Sequence, residues 1–396
     1  MSDDTSREGE ETPYGTLTKM NGKRYDGSPS LSPEERHDDS VAACVWMQAM
    51  YDTGLIDDAW IVFAHIERRG DWSGGGYNIE HFRDFNNAAP DICIGFEGAP
   101  GHQASGGRGG FGGGAYGQGT YGGTGYYTAT VGHLWDALLG EGRRWFNFAS
   151  SDKHKHWTVG GGDFFPGEYQ KTWSYVSDSD GYGDYSMVEI AQSLRSGNSY
   201  HVMGDLVDFL EFTAQSKSQK VPMGGEMFVD EGGKLKLKIK FSSPRVNNNG
   251  DVPVVDHIDL IAGAITGKVA PEDPGYTNPV NPTTKVIATF SSPSWEADDN
   301  GCNVVVYQLD DLDVEEVLGI ELDEVPLGIY FRLRGTNMPP GTPHETDENG
   351  NPLADSEATE FLGLDRAAEA WADLWFYSNP IFVYVIPNAH PDNDRR

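Results

Sequence analysis

Residues 148–154, FASSDKH, carry the side chains with the clearest chemistry in this 396-residue chain. An aromatic run (Trp145, Phe146, Phe148) passes through small residues into Asp152-x-His154. A carboxylate oxygen and an imidazole nitrogen at that spacing suit Zn, Mn or Fe. The position fits a buried strand that ends at the open rim of an α/β barrel. The pattern recurs upstream, where the apolar residues 59–64 (AWIVFA) run into His65. Glu97 lies between the two and is followed by His102 in GFEGAPGHQ, whose Gly and Pro residues allow a tight loop that brings His102 to the same centre. His65, Asp152 and His154 are therefore expected to bind metal, with Glu97 and His102 either binding it or orienting a ligand imidazole. The competing readings are a solvated turn in which Asp152 caps a helix, and a purely structural His65.

Cations accompany these ligands. Arg68 and Arg69 follow His65 closely, and with Arg108 and Lys153 they are the groups expected to hold phosphate oxygens. His156 reads as a loop residue and His81 as a structural one. Residues 178–189, DSDGYGDYSMVE, place Asp178, Asp180, Asp184 and Glu189 where an EF-hand loop has ligands, with its glycine at Gly183. Tyr182 stands where a further ligand is needed, and an acidic turn ahead of a helix accounts for the same residues. No GxSxG elbow, Walker loop or zinc-finger spacing occurs, so serine and cysteine nucleophiles have no support.

These side chains need elements to position them. Residues 39–54 repeat apolar residues at helical spacing, with Ser40 near the cap and Gly54 after the last turn. The strand before His65 follows. Residues 78–88 read as a helix capped by Asn78, and residues 91–96 as a strand ending at Glu97. Residues 105–125 are a Gly-rich tract that is either a surface insertion or a cover anchored by Phe111, Tyr116 and Tyr121. Residues 130–142 read as a helix and lead into the strand before Asp152. Residues 186–197 give one more helix, followed by the strand SYHVMG. Helix and strand alternate, which predicts parallel βα units. Beyond about residue 222 the pattern changes to EMFV, KLKLKIKF, HIDLIAGAI, KVIATF, NVVVYQL, GIYFRLRG and PIFVYVI. KLKLKIKF alternates with period two, the mark of a half-buried strand. Seven such strands predict an antiparallel β-sandwich.

Composition narrows the partners. The formal charge is −32, from 61 acidic and 29 basic residues, which argues against nucleic acid. Hydrophobic residues make up 38% and aromatics 12%, enough for a sizeable core. No apolar run approaches the ~18 residues of a membrane helix, so no membrane partner is expected. The polar start MSDDTSREGEETPYG has no hydrophobic segment of the kind a secretory signal needs. The 3 cysteines, Cys44, Cys93 and Cys302, are far apart and read as packed thiols.

With VFAHIERRG, APDICIGFEGAPGHQ, VGHLWDALLGEGRRWFNFASSDKH, DFFPGEY, SLRSGNSYHVMGDLVD, RLRGT and DLWFYSNPIFV in hand, the chain resembles the PHP-superfamily (polymerase and histidinol phosphatase-like) phosphoesterases. It looks most like the two-domain type with a C-terminal β-sandwich. The resemblance implies a distorted (β/α)7 barrel holding two or three divalent metal ions (Mn, Fe or Zn) and hydrolysis of a phosphoester by a metal-activated water. His65, Asp152 and His154 match ligand positions of the family. Members begin with a His-x-His strand, and this sequence has only His37 before His65. The expectation is thus α/β plus all-β: an irregular arm over 1–38, an incomplete PHP-like barrel over 39–216 and a β-sandwich over 222–390. The substrate would be small and phosphorylated, with a companion chain or a missing N-terminal segment completing the metal site. Members of the family are often exported. A catalytically inactive relative that binds carbohydrate or protein is the alternative function, and a calcium-stabilised structural protein a third.

Overall fold

The computed structural model describes residues 32–70, 76–111, 119–154, 162–177, 181, 183–356, 361–363 and 366–388, plus two short strands at Glu11–Thr12 and Gly15–Thr16. The N-terminal part alternates helix and strand. Helix α1 (Pro33–Asp52) opens on a reciprocal cap, with Ser32 Oγ accepting from Glu35 N and Glu35 returning to Ser32 N, and Pro33 in the first turn. It therefore starts at Ser32-Pro33, ahead of the predicted Ser40, and the irregular arm ends before residue 38. Strand β1 (Ile61–Phe63), helix α2 (Ile79–Ala88), strand β2 (Cys93–Ala99), helix α3 (Leu134–Gly140) and strand β3 (Phe146–Ala149) follow. The three strands form one parallel sheet in the order β1-β2-β3. The βα reading of this region holds, but among the described residues the sheet stays open and no closed barrel forms.

Strand β4 (Lys171–Ser174), helix α4 (Met187–Ser196) and strand β5 (Ser199–Val202) lead into β6 (Phe209–Ser216), β7 (Gln219–Pro222), β8 (Glu226–Asp230) and β9 (Leu235–Ser242). Then come β10 (His257–Ile265), β11 (Lys285–Ser291), β12 (Asn303–Leu309), the short helix α5 (Val314–Leu318), β13 (Gly328–Thr336), helix α6 (Arg366–Ala372), β14 (Trp375–Ser378) and β15 (Ile381–Ile386). Every one of the seven predicted C-terminal strands is present. The molecule is mixed α/β with large antiparallel sheets and few helices.

Two such sheets carry the C-terminal part. One has five strands, β7-β6-β9-β12 and the short strand Glu296–Ala297. The other has eight, with β8-β15-β13-β14-β5-β4 in a row and β10-β11 added beside β13. In β9, Leu235, Leu237, Ile239 and Phe241 are buried while Lys236 is exposed, as period two requires. Ile258, Leu260, Leu333 and Phe376 of the larger sheet share one apolar core with Leu210, Phe212, Leu237 and Ile239 of the smaller. Residues 216–222, where the composition changes, are the β6–β7 hairpin. Strands from before it (β4, β5) pair in the same sheet as strands from after it (β13, β14), so the 39–216 and 222–390 ranges do not divide the sheets.

The other face of the larger sheet carries a polar row and packs against the βα layer. Its residues line up across six strands: Thr172, His201, Tyr377, Arg334, Asp259 and Thr289 are successive cross-strand partners. Arg334 Nη2 donates to Asp259 Oδ2 at 2.7 Å, and Thr289 Oγ1 to Asp259 Oδ1 at 2.8 Å. His201 stacks on Tyr377 with ring centroids 5.0 Å apart. On the same face, Arg332 makes a two-point ion pair with Asp136 of α3, at 2.7 Å for each bond. Buried charges of this kind require pairing, and here the pairing fixes the βα layer to the sheet.

Candidate metal centre

The C-terminal ends of the three parallel strands come together, which is where open α/β sheets place their ligands. His65 follows β1, Glu97 lies within β2, and Ser150 to Asp152 follow β3. Glu97 ties the three ends: the His65 backbone N–H donates to its Oε2 at 2.7 Å, and Ser150 Oγ donates to its Oε1. Burial pushes the Glu97 carboxyl up to about 7, against the opposing pull of these two donors. The pKa of His65 is lowered, first by burial and then by the Arg68 guanidinium.

His102, Asp152 and His154 form one donor group whose ligand atoms lie within 4.8 Å of one another. His102 Nε2 is 3.1 Å from Asp152 Oδ2, and His154 Nδ1 is 3.7 Å from Asp152 Oδ1 and 2.5 Å from the Asp152 carbonyl. Behind His102 stands Asp163, buried, with Oδ1 on the ring Nδ1 and Oδ2 accepting from the His154 backbone N–H. A carboxylate on one imidazole nitrogen leaves the other aimed at the shared centre, the arrangement by which proteins orient metal-binding histidines. One carboxylate and two imidazoles suit a borderline divalent cation such as Zn, Mn or Fe. Asp152 keeps Oδ1 for a cation, since Oδ2 already accepts from Arg68 Nη1 at 3.0 Å.

The backbone is bent to make this meeting possible. His65, His102 and Asp152 all have positive φ, at 38°, 62° and 46°. Left-handed conformations at non-glycine residues cost on the order of 1 kcal/mol or more each and gather at functional sites. Gly101 supplies the close approach, because a Cβ there would stand 2.2 Å from the Asp152 Cβ. Glu67 anchors the loop after β1: its buried carboxyl accepts from Tyr127 N at 3.2 Å, and burial raises it to about 8.

The expected residues are sorted by this geometry. Asp152, His154 and His102 lie together, while His65 stands outside this donor group and contributes its backbone N–H to Glu97. Arg68 does not face outward for a phosphate; its guanidinium donates to Asp152, to Gly109 O at 2.9 Å and to Gly101 O at 3.3 Å. Arg108 is buried among carboxylates, far from open solvent, with all its N–H groups engaged. Arg69 is exposed, and Lys153 is exposed with its ammonium 4.4 Å from the Phe165 ring centre. Of the calcium-loop residues, Glu189 is the reciprocal partner of the Ser186 cap of α4, Asp184 is exposed, and Asp178 and Asp180 lie outside the described residues. His156 and Tyr116 also lie outside them. His81 is structural, its Nδ1 accepting from Asn78 N at 2.9 Å. Cys44 and Cys93 are buried. The sequence pattern does not single out Asp163 or Ser150. Asp163 sits in the DFFPGEY segment, where a lone carboxylate beside two aromatics gives no spacing signal. No known family model matches this chain, and comparison with curated proteins finds no relative.

Proposed function

We propose that the chain is a metal-dependent phosphoesterase whose cation is held by His102, Asp152 and His154. The observation that carries the reading is the convergence of these three donors at the ends of parallel strands, with Asp163 fixing the His102 ring. A divalent cation held there would polarise a phosphoryl oxygen and acidify a water. Arg68 holds Asp152 in place, and Arg69 and Lys153 are the exposed cations beside the site. Glu97, titrating near neutrality, is the group suited to take up or release a proton at physiological pH. The resemblance to PHP phosphoesterases, with its barrel-plus-sandwich architecture, is supported by the parallel βα units and by the shared core of the two antiparallel sheets. It also implies further ligands. Among the described residues β1 is an edge strand of its sheet, so a companion chain or further segment pairing there would bring them to the site.

The test is metal content after purification together with hydrolysis of p-nitrophenyl phosphate. Near-stoichiometric Mn, Fe or Zn and metal-dependent turnover are expected, with both reduced in Asp152→Asn and His102→Ala. Asp163→Asn should weaken metal binding by about 10- to 100-fold, the usual effect of removing a carboxylate that orients a ligand histidine, as read by calorimetric titration with Mn²⁺. Metal-free wild-type protein without turnover would remove the enzyme and leave a binding module.

A further inference from the structure

Helix α1 has two buried residues, Cys44 and Gln48. They are one turn apart and so lie on one face. That face rests against the start of β2: Gln48 Nε2 donates to Asp91 Oδ2 at 3.0 Å, and Asp91 N donates to Gln48 Oε1 at 3.2 Å. Asp91 is two residues ahead of Cys93, the first residue of β2. Cys44 and Cys93 are 3% and 0% exposed and belong to the same apolar core. Their thiols are in contact. The Cys93 S–H donates to Cys44 Sγ, which lowers the pKa of Cys44 and raises that of Cys93.

The two sulfurs stand on different kinds of support. Cys93 is fixed on every side of its backbone: it pairs with Ile61 of β1, its N–H donates to Ala89 O at 2.8 Å, and its carbonyl accepts from Asn86 Nδ2 at 3.2 Å. Cys44 belongs to a surface helix whose next residues, Val45 and Trp46, are exposed. Elements on the surface open locally more readily than core strands, so a small reagent reaches the pair when α1 lifts. The third cysteine, Cys302, directly precedes β12 in the five-stranded sheet and belongs to another part of the fold. Two thiols in contact are two electrons and two protons away from a disulfide.

We propose that Cys44 and Cys93 form a reversible disulfide that fastens helix α1 to strand β2 when a peroxide is present. The Cys44 thiolate attacks one peroxide oxygen, the O–O bond breaks, and a sulfenic acid forms as the other oxygen leaves as water. The Cys93 sulfur then attacks Cys44 Sγ, the S–O bond breaks, and the hydroxyl leaves with the Cys93 proton as a second water. Two thiols and one H₂O₂ thus give one disulfide and two waters. Cys44 is the attacking sulfur because its neighbour's S–H favours the thiolate, the reactive form. β2 runs on to Glu97, which ties the three strand ends, so the bond anchors α1 to the strand at the centre of the small sheet. The inference stands whether or not the chain is a phosphoesterase.

The test uses the full chain, reduced, freed of metal with chelator and treated with H₂O₂, both in buffer and in sub-denaturing urea that lets α1 open. Thiol titration after denaturation should show two of the 3 cysteines consumed and returned by dithiothreitol. Peptide mass spectrometry without reductant should find residues 44 and 93 joined. Closing the chain from residue 44 to residue 93 should raise the melting temperature by about 5 °C for a cooperative unit of 396 residues. The rise should vanish in Cys44→Ser and in Cys93→Ala and persist in Cys302→Ser. Absence of the joined peptide under both conditions, thiol loss that dithiothreitol does not reverse, or an equal rise in Cys44→Ser would overturn the proposal.

Discussion

Removing the guanidinium of Arg332 is the sharpest test of how the βα layer and the sheets depend on each other. Arg332 and Asp136 are 0% and 1% exposed at their side chains and meet through two bonds of 2.7 Å. Arg332→Met keeps much of the volume and leaves Asp136 buried with only Tyr330 Oη and Gly132 N as donors. Breaking one side of such a pair costs about 3–5 kcal/mol. Unfolding entropy is about 2.1 cal/mol/K per residue, so a cooperative unit of 396 residues has about 0.8 kcal/mol/K. A loss of about 4 kcal/mol then lowers the melting temperature by about 5 °C in a single transition. If the halves unfolded separately, the same loss would act on about half the entropy, shifting one transition by about 10 °C and leaving another in place. Differential scanning calorimetry separates the two. Arg332→Met with Asp136→Asn should recover at least about 1 kcal/mol over Arg332→Met alone, because the stranded charge is gone. A cost under about 1 kcal/mol for Arg332→Met, or no recovery in the double variant, would refute the reasoning.

Stability should fall as pH rises from about 5 to 9 in chelated protein. Glu97, Glu67, Glu345 and Glu369 have folded pKa values raised to about 7, 8, 8 and 9, so the native state holds more protons than the unfolded chain above about 4.5 and loses that advantage through this range. On the acid side, His133 and His201, lowered to about 4 and 3 by burial, remove stability below about 6.5. A melting temperature that is flat or rising from pH 6 to 9 would count against this, and Glu97→Gln should flatten the part below pH 7. Gly125→Ala would set a Cβ 1.7 Å from Glu67 Oε1, displacing a buried carboxyl from Tyr127 N at a cost of about 2 kcal/mol in urea unfolding. Gly106→Ala meets nothing within 4 Å and should stay within about 0.5 kcal/mol of wild type; equal effects would contradict the close approach.

Periodicity made the elements readable. KLKLKIKF, HIDLIAGAI and PIFVYVI announce strands because one or both faces must be buried, and Asn78 and Ser186 announce helix starts because their side chains can satisfy free backbone N–H groups. Ser32-Pro33-Glu34-Glu35 carries a start signal as good as that of Ser40, and the helix begins there. Pairing was not readable. Nothing local says that Tyr200 and Phe376, far apart in the chain, lie in adjacent strands, so a boundary drawn where composition changes falls inside a hairpin. At the site, the apolar runs before Glu97 and Asp152 mark them as strand-end residues of adjacent strands. His102 is legible from the tight Gly/Pro loop, but that His65 stands outside the donor group is not, because it turns on left-handed backbone at His65, His102 and Asp152. The engagement of Arg68 and Arg108 was hidden because their carboxylate and carbonyl partners come from distant segments.

The polar row through Thr172, His201, Tyr377, Arg334, Asp259 and Thr289 bears on how the chain matures. β14 lies between β5 and β13, so the row closes only once one of the last strands to be synthesised has arrived. Until then the βα layer faces a half-built wall of charged groups and His201 has no aromatic to stack on. Long-range pairing of this kind is slow and exposes sticky intermediates. A ribosome stalled shortly before residue 375 should hold a nascent chain that is readily digested throughout, strand-end centre included.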